Sequence, residues 1–176
     1  MTYAWTPPVD FAHDEVLDAT DLNNLIVNNL GYLAQELPTR ATLWISSGIV
    51  NNGTSWTVSV NSSQRHNAVW RFTDIANGNA FTHSMVLAAG TYSMTVLGHS
   101  DTSRGTLDWV LDGTTIEAGQ DWYTGAPVFN VEKTTSGITI AQGGRHILTG
   151  TVNGKNASSG SYGVYLTCIT FKRTSV

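Results

Sequence analysis

The first regular pattern in the chain is helical. Between Asp21 and Leu37, apolar side chains fall at Leu22, Leu25, Ile26, Leu30, Leu33 and Leu37. Steps of three and four draw one stripe down a helix, while Asn23, Asn24, Asn28, Asn29 and Gln35 take the other faces. Asp18 or Thr20 suits the N-cap, and Pro38 stops the helix. Upstream, Pro7-Pro8 excludes a helix and favours an extended arm over residues 1–17. A helix this short is marginal alone in water, so its stripe must pack on its own domain or on copies of itself. The leucine and isoleucine steps resemble a short coiled-coil seam and favour self-association.

After Pro38 the period changes to two. Trp56, Val58 and Val60 alternate with Thr57 and Ser59, the mark of a half-buried strand. Strands are expected over 41–50, 55–60, 68–73, 81–88, 91–97, 106–111, 115–118, 128–132, 137–141, 145–152 and 162–172. Asn51-Asn52-Gly53 and Asp112-Gly113 are hairpin signals, because Asn, Asp and Gly tolerate positive φ. No strand alternates with a helix, which excludes α/β folds. The fold class expected is all-β: an antiparallel β-sandwich or jelly roll, preceded by an extended arm and one short α-helix. The boundary falls between 1–39 and 40–176.

Composition narrows the function. Only 12% of the chain is charged, with 9 Lys and Arg against 13 Asp and Glu. The cations are few and scattered, which argues against a nucleic-acid face. A 41% hydrophobic chain with 6 Trp is not disordered. No apolar run reaches membrane-spanning length, and no secretory leader is evident. Cys168 is the single cysteine, so an internal disulfide or a cysteine-based zinc site is excluded. The charge is also uneven. Residues 1–39 hold Asp10, Asp14, Glu15, Asp18, Asp21 and Glu36 and no Lys or Arg, leaving the rest slightly cationic. This acidity either suits a helix N-terminus or docks the arm on a basic partner.

Several short segments resemble modules of phage virion proteins. They are His83-Ser84-Met85-Val86-Leu87, Ala89-Gly90-Thr91-Tyr92, Leu111-Asp112-Gly113, Gly143-Gly144-Arg145-His146, Lys155-Asn156-Ala157-Ser158-Ser159 and Tyr162-Gly163-Val164. In this order, over 81–173, they resemble C-terminal jelly rolls similar in build to TNF-like and C1q-like trimeric heads. The segment from Glu15 to Asn23 resembles a pattern that precedes short helices in phage structural proteins. The resemblance implies a homotrimeric protein on the virion surface, with other capsid or tail proteins as partners. It leaves open a tail-associated, host-binding role and a capsid-decorating one. Trp5, Phe11, Asp14 and Glu15 are the docking candidates. Leu22, Ile26, Leu30 and Leu33 of the helix and Tyr162, Val164 and Leu166 of the last strand are the trimer-contact candidates. Strict alternation puts Tyr162, Val164, Leu166, Cys168 and Thr170 on one face of that strand.

No catalytic constellation emerges, so a non-enzymatic protein without metal or cofactor is expected. His13, His66, His83, His99 and His146 show no metal-ligand spacing. Asp108 and Asp112 lie about 13 Å apart along a strand, too far for a paired-carboxylate hydrolase. The polar loops 119–127 and 154–161 carry the binding candidates Asp121, Trp122, Tyr123, Lys155 and Asn156. The Trp122–Tyr123 pair either caps the sandwich, fills a subunit interface, or stacks on a sugar such as a host-surface glycan. Trp44, Trp56, Trp70 and Trp109 fall in strands and are expected in the core. A stand-alone carbohydrate-binding module is the alternative from a different class.

Overall fold

Alternation of buried and exposed side chains sorts the strands into two antiparallel sheets packed face to face. The computed structural model describes residues 40–45, 63 and 76–175, and the backbone alone of 49–52, 56–60 and 68–72. The strands are β1 (Arg40–Trp44), β2 (Ile49–Asn52), β3 (Trp56–Val60), β4 (Ala68–Phe72), β5 (Ala80–Leu87), β6 (Gly90–Ser100), β7 (Gly105–Leu111), β8 (Thr114–Asp121), β9 (Val128–Ile140), β10 (Gly144–Lys155) and β11 (Val164–Ser175). The larger sheet runs β3-β4-β11-β6-β9, with β1 also paired to β11, and the smaller runs β2-β5-β10-β7-β8. This is the expected all-β jelly-roll sandwich. The expected arm and helix lie outside the described residues.

The inner faces follow the period-two rule. Phe81, Met85 and Leu87 on β5, Leu148 and Val152 on β10, and Leu107, Trp109 and Leu111 on β7 line one wall. Tyr92, Met94 and Val96 on β6 and Ile169 and Phe171 on β11 line the other. Trp109 fills the centre, fully buried, and its Nε1–H donates to Gln120 Oε1 at 3.1 Å. Phe81 meets the Trp109 ring edge-on, centroids 5.7 Å apart. These rings approach β10 so closely that a Cβ on Gly150 would lie 2.5 Å from Phe81 Cζ and 2.8 Å from Trp109 Cζ3.

Two turns separate legible from illegible sequence. Asp112 (φ 48°) and Gly113 (φ 84°) close a β7–β8 hairpin, as the pair predicts. Asn51-Asn52-Gly53 closes none: β2 pairs with β5, and β3 pairs with β4 in the opposite sheet. The single strand expected over 41–50 is likewise two, β1 in the larger sheet and β2 in the smaller. The strands expected over 128–132 and 137–141 are one strand, β9, joined through Lys133–Ser136.

The last strand also departs from strict alternation. Leu166 pairs with Gly98, yet Cys168 pairs with Leu97, so β11 carries one residue more than β6 across this step. Such a bulge reverses which side chains face inward. Val164 and Leu166 face the core before it, Ile169 and Phe171 after it, and Cys168, Thr170 and Lys172 turn outward. Val164 and Leu166 are therefore core residues and not subunit contacts. Tyr162 is half-buried against the same core. Cys168 is a buried free thiol, as expected of a small hydrophobe.

Two measurements test this packing. Gly150→Ala should lower the unfolding free energy by about 1–3 kcal/mol, read by urea titration, because the added methyl overpacks two aromatic rings. The second concerns His83, whose buried ring has its pKa pushed by burial from 6.5 down to about 4. The folded value lies below the unfolded one, so the unfolded chain takes up the proton first as pH falls. Stability from His83 is complete above pH 6.5 and is lost as pH falls toward 4. The melting temperature should drop across that window, and His83→Gln should flatten part of the drop.

Candidate functional site

The outward face of the larger sheet is a grid whose rows follow from strand register. Trp44, Cys168, Leu97 and Glu132 form one row across β1, β11, β6 and β9. Thr42, Thr170, Thr95 and Thr134 form the next, and Arg40, Lys172 and Ser93 the third. Rows two residues apart are separated by about 6.8 Å and strands by about 4.8 Å. Short threonines between longer flanking side chains leave a shallow groove of about 480 Å³, within the usual range of ligand sites.

The chemistry of the groove is amphipathic. Trp44 is 46% exposed and presents its indole at one side. This corrects its expected place in the core. Ala41, Leu43 and Ile45 point inward, which sends Arg40, Thr42 and Trp44 outward. The Thr42 and Thr170 hydroxyls lie 3.3 Å apart, and those of Thr95 and Thr134 lie 3.0 Å apart. Each hydroxyl has two acceptor lone pairs and one proton, so paired threonines keep capacity for a ligand. Arg40, Lys172 and Glu132 supply charge at the rim. A flat aromatic beside a row of hydroxyls suits a ring with one apolar face and polar edges.

The residues singled out from sequence gather elsewhere, at the end formed by loops 101–105, 121–127 and 156–163. Asn156 Nδ2 donates to Asp121 Oδ2 at 2.8 Å, and the Tyr123 amide donates to Asp121 Oδ1 at 2.8 Å. Lys155 Nζ donates to the Ser159 carbonyl at 2.8 Å and sits 5.4 Å from the Tyr162 ring centre. The two loops thus meet, but their polar groups are engaged with each other. Trp122 is 2% exposed and belongs to the core, which favours its structural alternative and removes it from the binding candidates. The loop folds inward there: the Trp122 amide donates to the Gly105 carbonyl, and its carbonyl accepts from the Asp101 amide. Buried Arg104 ties this end together. Its guanidinium stacks 3.5 Å over the Tyr165 ring and donates to Asp101 Oδ2 at 3.3 Å. Burial, with Arg104 beside it, holds the neighbouring His99 below its ordinary pKa against the opposing pull of Asp101. Trp5, Phe11, Asp14, Glu15, Leu22, Ile26, Leu30 and Leu33 lie outside the described residues.

A larger groove, about 650 Å³, opens at the opposite end between β8 and β9. Leu111, Ile116, Ile138 and Ile140 give it aliphatic walls, and it has no aromatic platform. Its polar pair is self-engaged: His146 Nδ1–H donates to Asp112 Oδ2 at 2.6 Å, and the Ile147 amide donates to Oδ1 at 2.8 Å. Burial would raise the Asp112 pKa, but the Ile147 amide and His146 outweigh it and bring it below its usual value. Asp108 is bound apart from this pair, by the Gly119 amide and Asn153.

No protein-family model matches the sequence, and no curated protein matches it. Similarity to solved structures is found over about three quarters of the chain. Paenibacillus xanthan lyase is 19% identical with a TM-score of 0.66, over 76% of this chain and 13% of its own. The CBM36-1 domain of a multidomain xylanase, from the hindgut metagenome of Trinervitermes trinervoides, is 16% identical with a TM-score of 0.55. That match covers 78% of this chain and 99% of the module. A carbohydrate-binding module CBM36 in complex with calcium and xylotriose is 22% identical with a TM-score of 0.50, over 75% of this chain and 99% of its own. The chain therefore spans about an eighth of the lyase and nearly all of each module.

These similarities establish the jelly-roll fold and overturn the virion expectation. They lead to carbohydrate-binding modules, not to phage tail, fibre or capsid proteins or TNF-like trimers. The segments that carried the phage resemblance are strands and turns of the jelly roll itself: His83–Leu87 lies within β5, and Asp112-Gly113 turns from β7 to β8. Among the described residues no three His, Cys, Asp or Glu side chains gather, and Asp101 and Asp121 bond Arg104 and Asn156.

Burial of Trp122 predicts that Trp122→Ala costs about 3–5 kcal/mol of folding stability in urea titration. A change below 1 kcal/mol would contradict its place in the core.

Proposed function

We propose that residues 40–176 form a non-enzymatic carbohydrate-binding module that holds a saccharide in the groove across β1, β11, β6 and β9. The observation that carries this reading is Trp44, a large aromatic left 46% exposed beside a row of threonine hydroxyls. A pyranose offers C–H bonds to an indole face and equatorial hydroxyls to neighbouring polar groups, and this site supplies both. The fold similarity to carbohydrate-binding modules supports it. The Asp121, Tyr123, Lys155 and Asn156 loops are better suited to closing the sandwich end, since their polar atoms bond one another. A glycan on a cell surface is a ligand of the same class and would bind through the same groove.

The experiment is affinity electrophoresis of the full chain through gels carrying neutral or acidic soluble polysaccharides. At least one polymer should retard the protein, and Trp44→Ala should weaken that retardation tenfold or more while leaving the melting temperature within a few degrees. Retardation by no polymer, or undiminished retardation of the Trp44→Ala protein, would overturn the reading.

A further inference from the structure

We infer that the groove selects an acidic polysaccharide, whose carboxylate or sulfate groups lie between Arg40 and Lys172. This rests on the saccharide reading above and goes beyond it by naming the ligand's charge. The observation is one of register. Arg40 stands directly opposite Lys172 on adjacent strands, both exposed, both lining the groove on the same side as Trp44. Like charges placed opposite one another destabilise a sheet. An anion between them turns that repulsion into attraction.

Nothing within the described residues supplies that anion. The ion pairs there are Arg104 with Asp101 and His146 with Asp112, neither of which reaches the groove's cationic row. Glu132, the groove's carboxylate, lies two rows and two strands from Lys172, about 17 Å on the sheet grid. That backbone spacing is about twice the screening length of exposed charges at physiological salt, about 8 Å. Among the described residues the cationic row is therefore electrostatically unanswered, while the rest of the groove they form is neutral or weakly acidic.

The two cations also complement one another chemically. The planar Arg40 guanidinium can hold two oxygens of a carboxylate or sulfate, and the Lys172 ammonium adds a compact charge beside it. Four residues separate Arg40 from Trp44 along β1, about 13–14 Å. One sugar ring cannot touch both. The ligand must be a chain, with one residue stacked on Trp44, an anionic residue at Arg40 and Lys172, and the Thr42–Thr170 pair crossed between them.

The test measures binding of the full chain to polygalacturonate, dextran sulfate and neutral xylan by isothermal titration at physiological salt. Proteins compared are the wild type, Trp44→Ala, the double variant Arg40→Gln/Lys172→Gln, and Arg145→Gln. Arg145 is an exposed cation on the smaller sheet, bonded to Ser84, and controls for bulk charge. The expected result is at least tenfold tighter binding of one acidic polymer than of xylan. That preference should vanish in the double variant and survive in Arg145→Gln. Preference for polygalacturonate identifies a carboxylate, and for dextran sulfate a sulfate. Equal affinity for neutral and acidic polymers, or equal weakening by Arg145→Gln, overturns the acidic selectivity. If Trp44→Ala still abolishes xylan binding in that case, the saccharide reading stands alone. If the wild type binds none of the three, both fail. All substituted side chains are exposed, so unchanged melting temperatures certify the variants as folded.

Discussion

The bulge in β11 is the constraint on which both faces of the larger sheet depend. A strand that alternated strictly from Val164 onward would keep Cys168 and Thr170 inside and turn Ile169 and Phe171 out to water. One extra residue between Leu166 and Cys168 reverses the parity at the middle of the strand. The core then receives Val164, Leu166, Ile169 and Phe171, four large apolar side chains from one strand. The outer face receives Cys168, Thr170 and Lys172. Burying Ile169 and Phe171 stabilises by about 1.5–3 kcal/mol each, which outweighs a locally interrupted ladder. The groove is thus a by-product of what the core requires.

The same bulge explains why β11 can take two different partners on one side. Its first half pairs with β4 through Val164, Tyr165 and Leu166, and its second half pairs with β1 from Cys168 to Lys172. The change of partner coincides with the change of parity. β1 enters with Ala41, Leu43 and Ile45 toward the core, and its other side chains are left to form the groove wall. At both ends of the sandwich, by contrast, polar side chains close on one another, as Asp121 does with Asn156 and Asp112 with His146. In the groove the paired groups are hydroxyls, Thr42 with Thr170 and Thr95 with Thr134, which retain acceptor lone pairs after bonding one another.

Much of this fold was legible in the amino-acid order. Phe81, His83, Met85 and Leu87 alternate inward as written, and so do Leu107, Trp109 and Leu111. Asp112-Gly113 marked its hairpin because only such residues adopt those backbone angles cheaply. The bulge was not legible, because Thr167 and Cys168 look like any two strand residues. Its parity error moved Val164 and Leu166 to the wrong face. The tryptophans were exchanged for a related reason. Trp122 stands among polar loop residues, but the Asp101 and Gly105 backbones draw it inward. Trp44 stands in a strand, and size suggested burial. Yet Arg40, Thr42 and Trp44 share one parity while Ala41, Leu43 and Ile45 share the other, and that signal was sufficient to find it. The phage resemblance failed because turn chemistry is common to every protein with these turns.

The pairing of β1 with β11 joins the first and last described strands, and the Thr42–Thr170 hydroxyl contact spans 128 positions. Contacts of such range slow folding, since the entropy of closing the intervening loop is lost before they reward it. On a ribosome the groove cannot exist until β11 has emerged, by which time every other strand is already available to pair. Proteolytic trimming at either margin would strip one wall while leaving the central strands of the sandwich paired. An intact groove would then report that the first described strand has paired with the last.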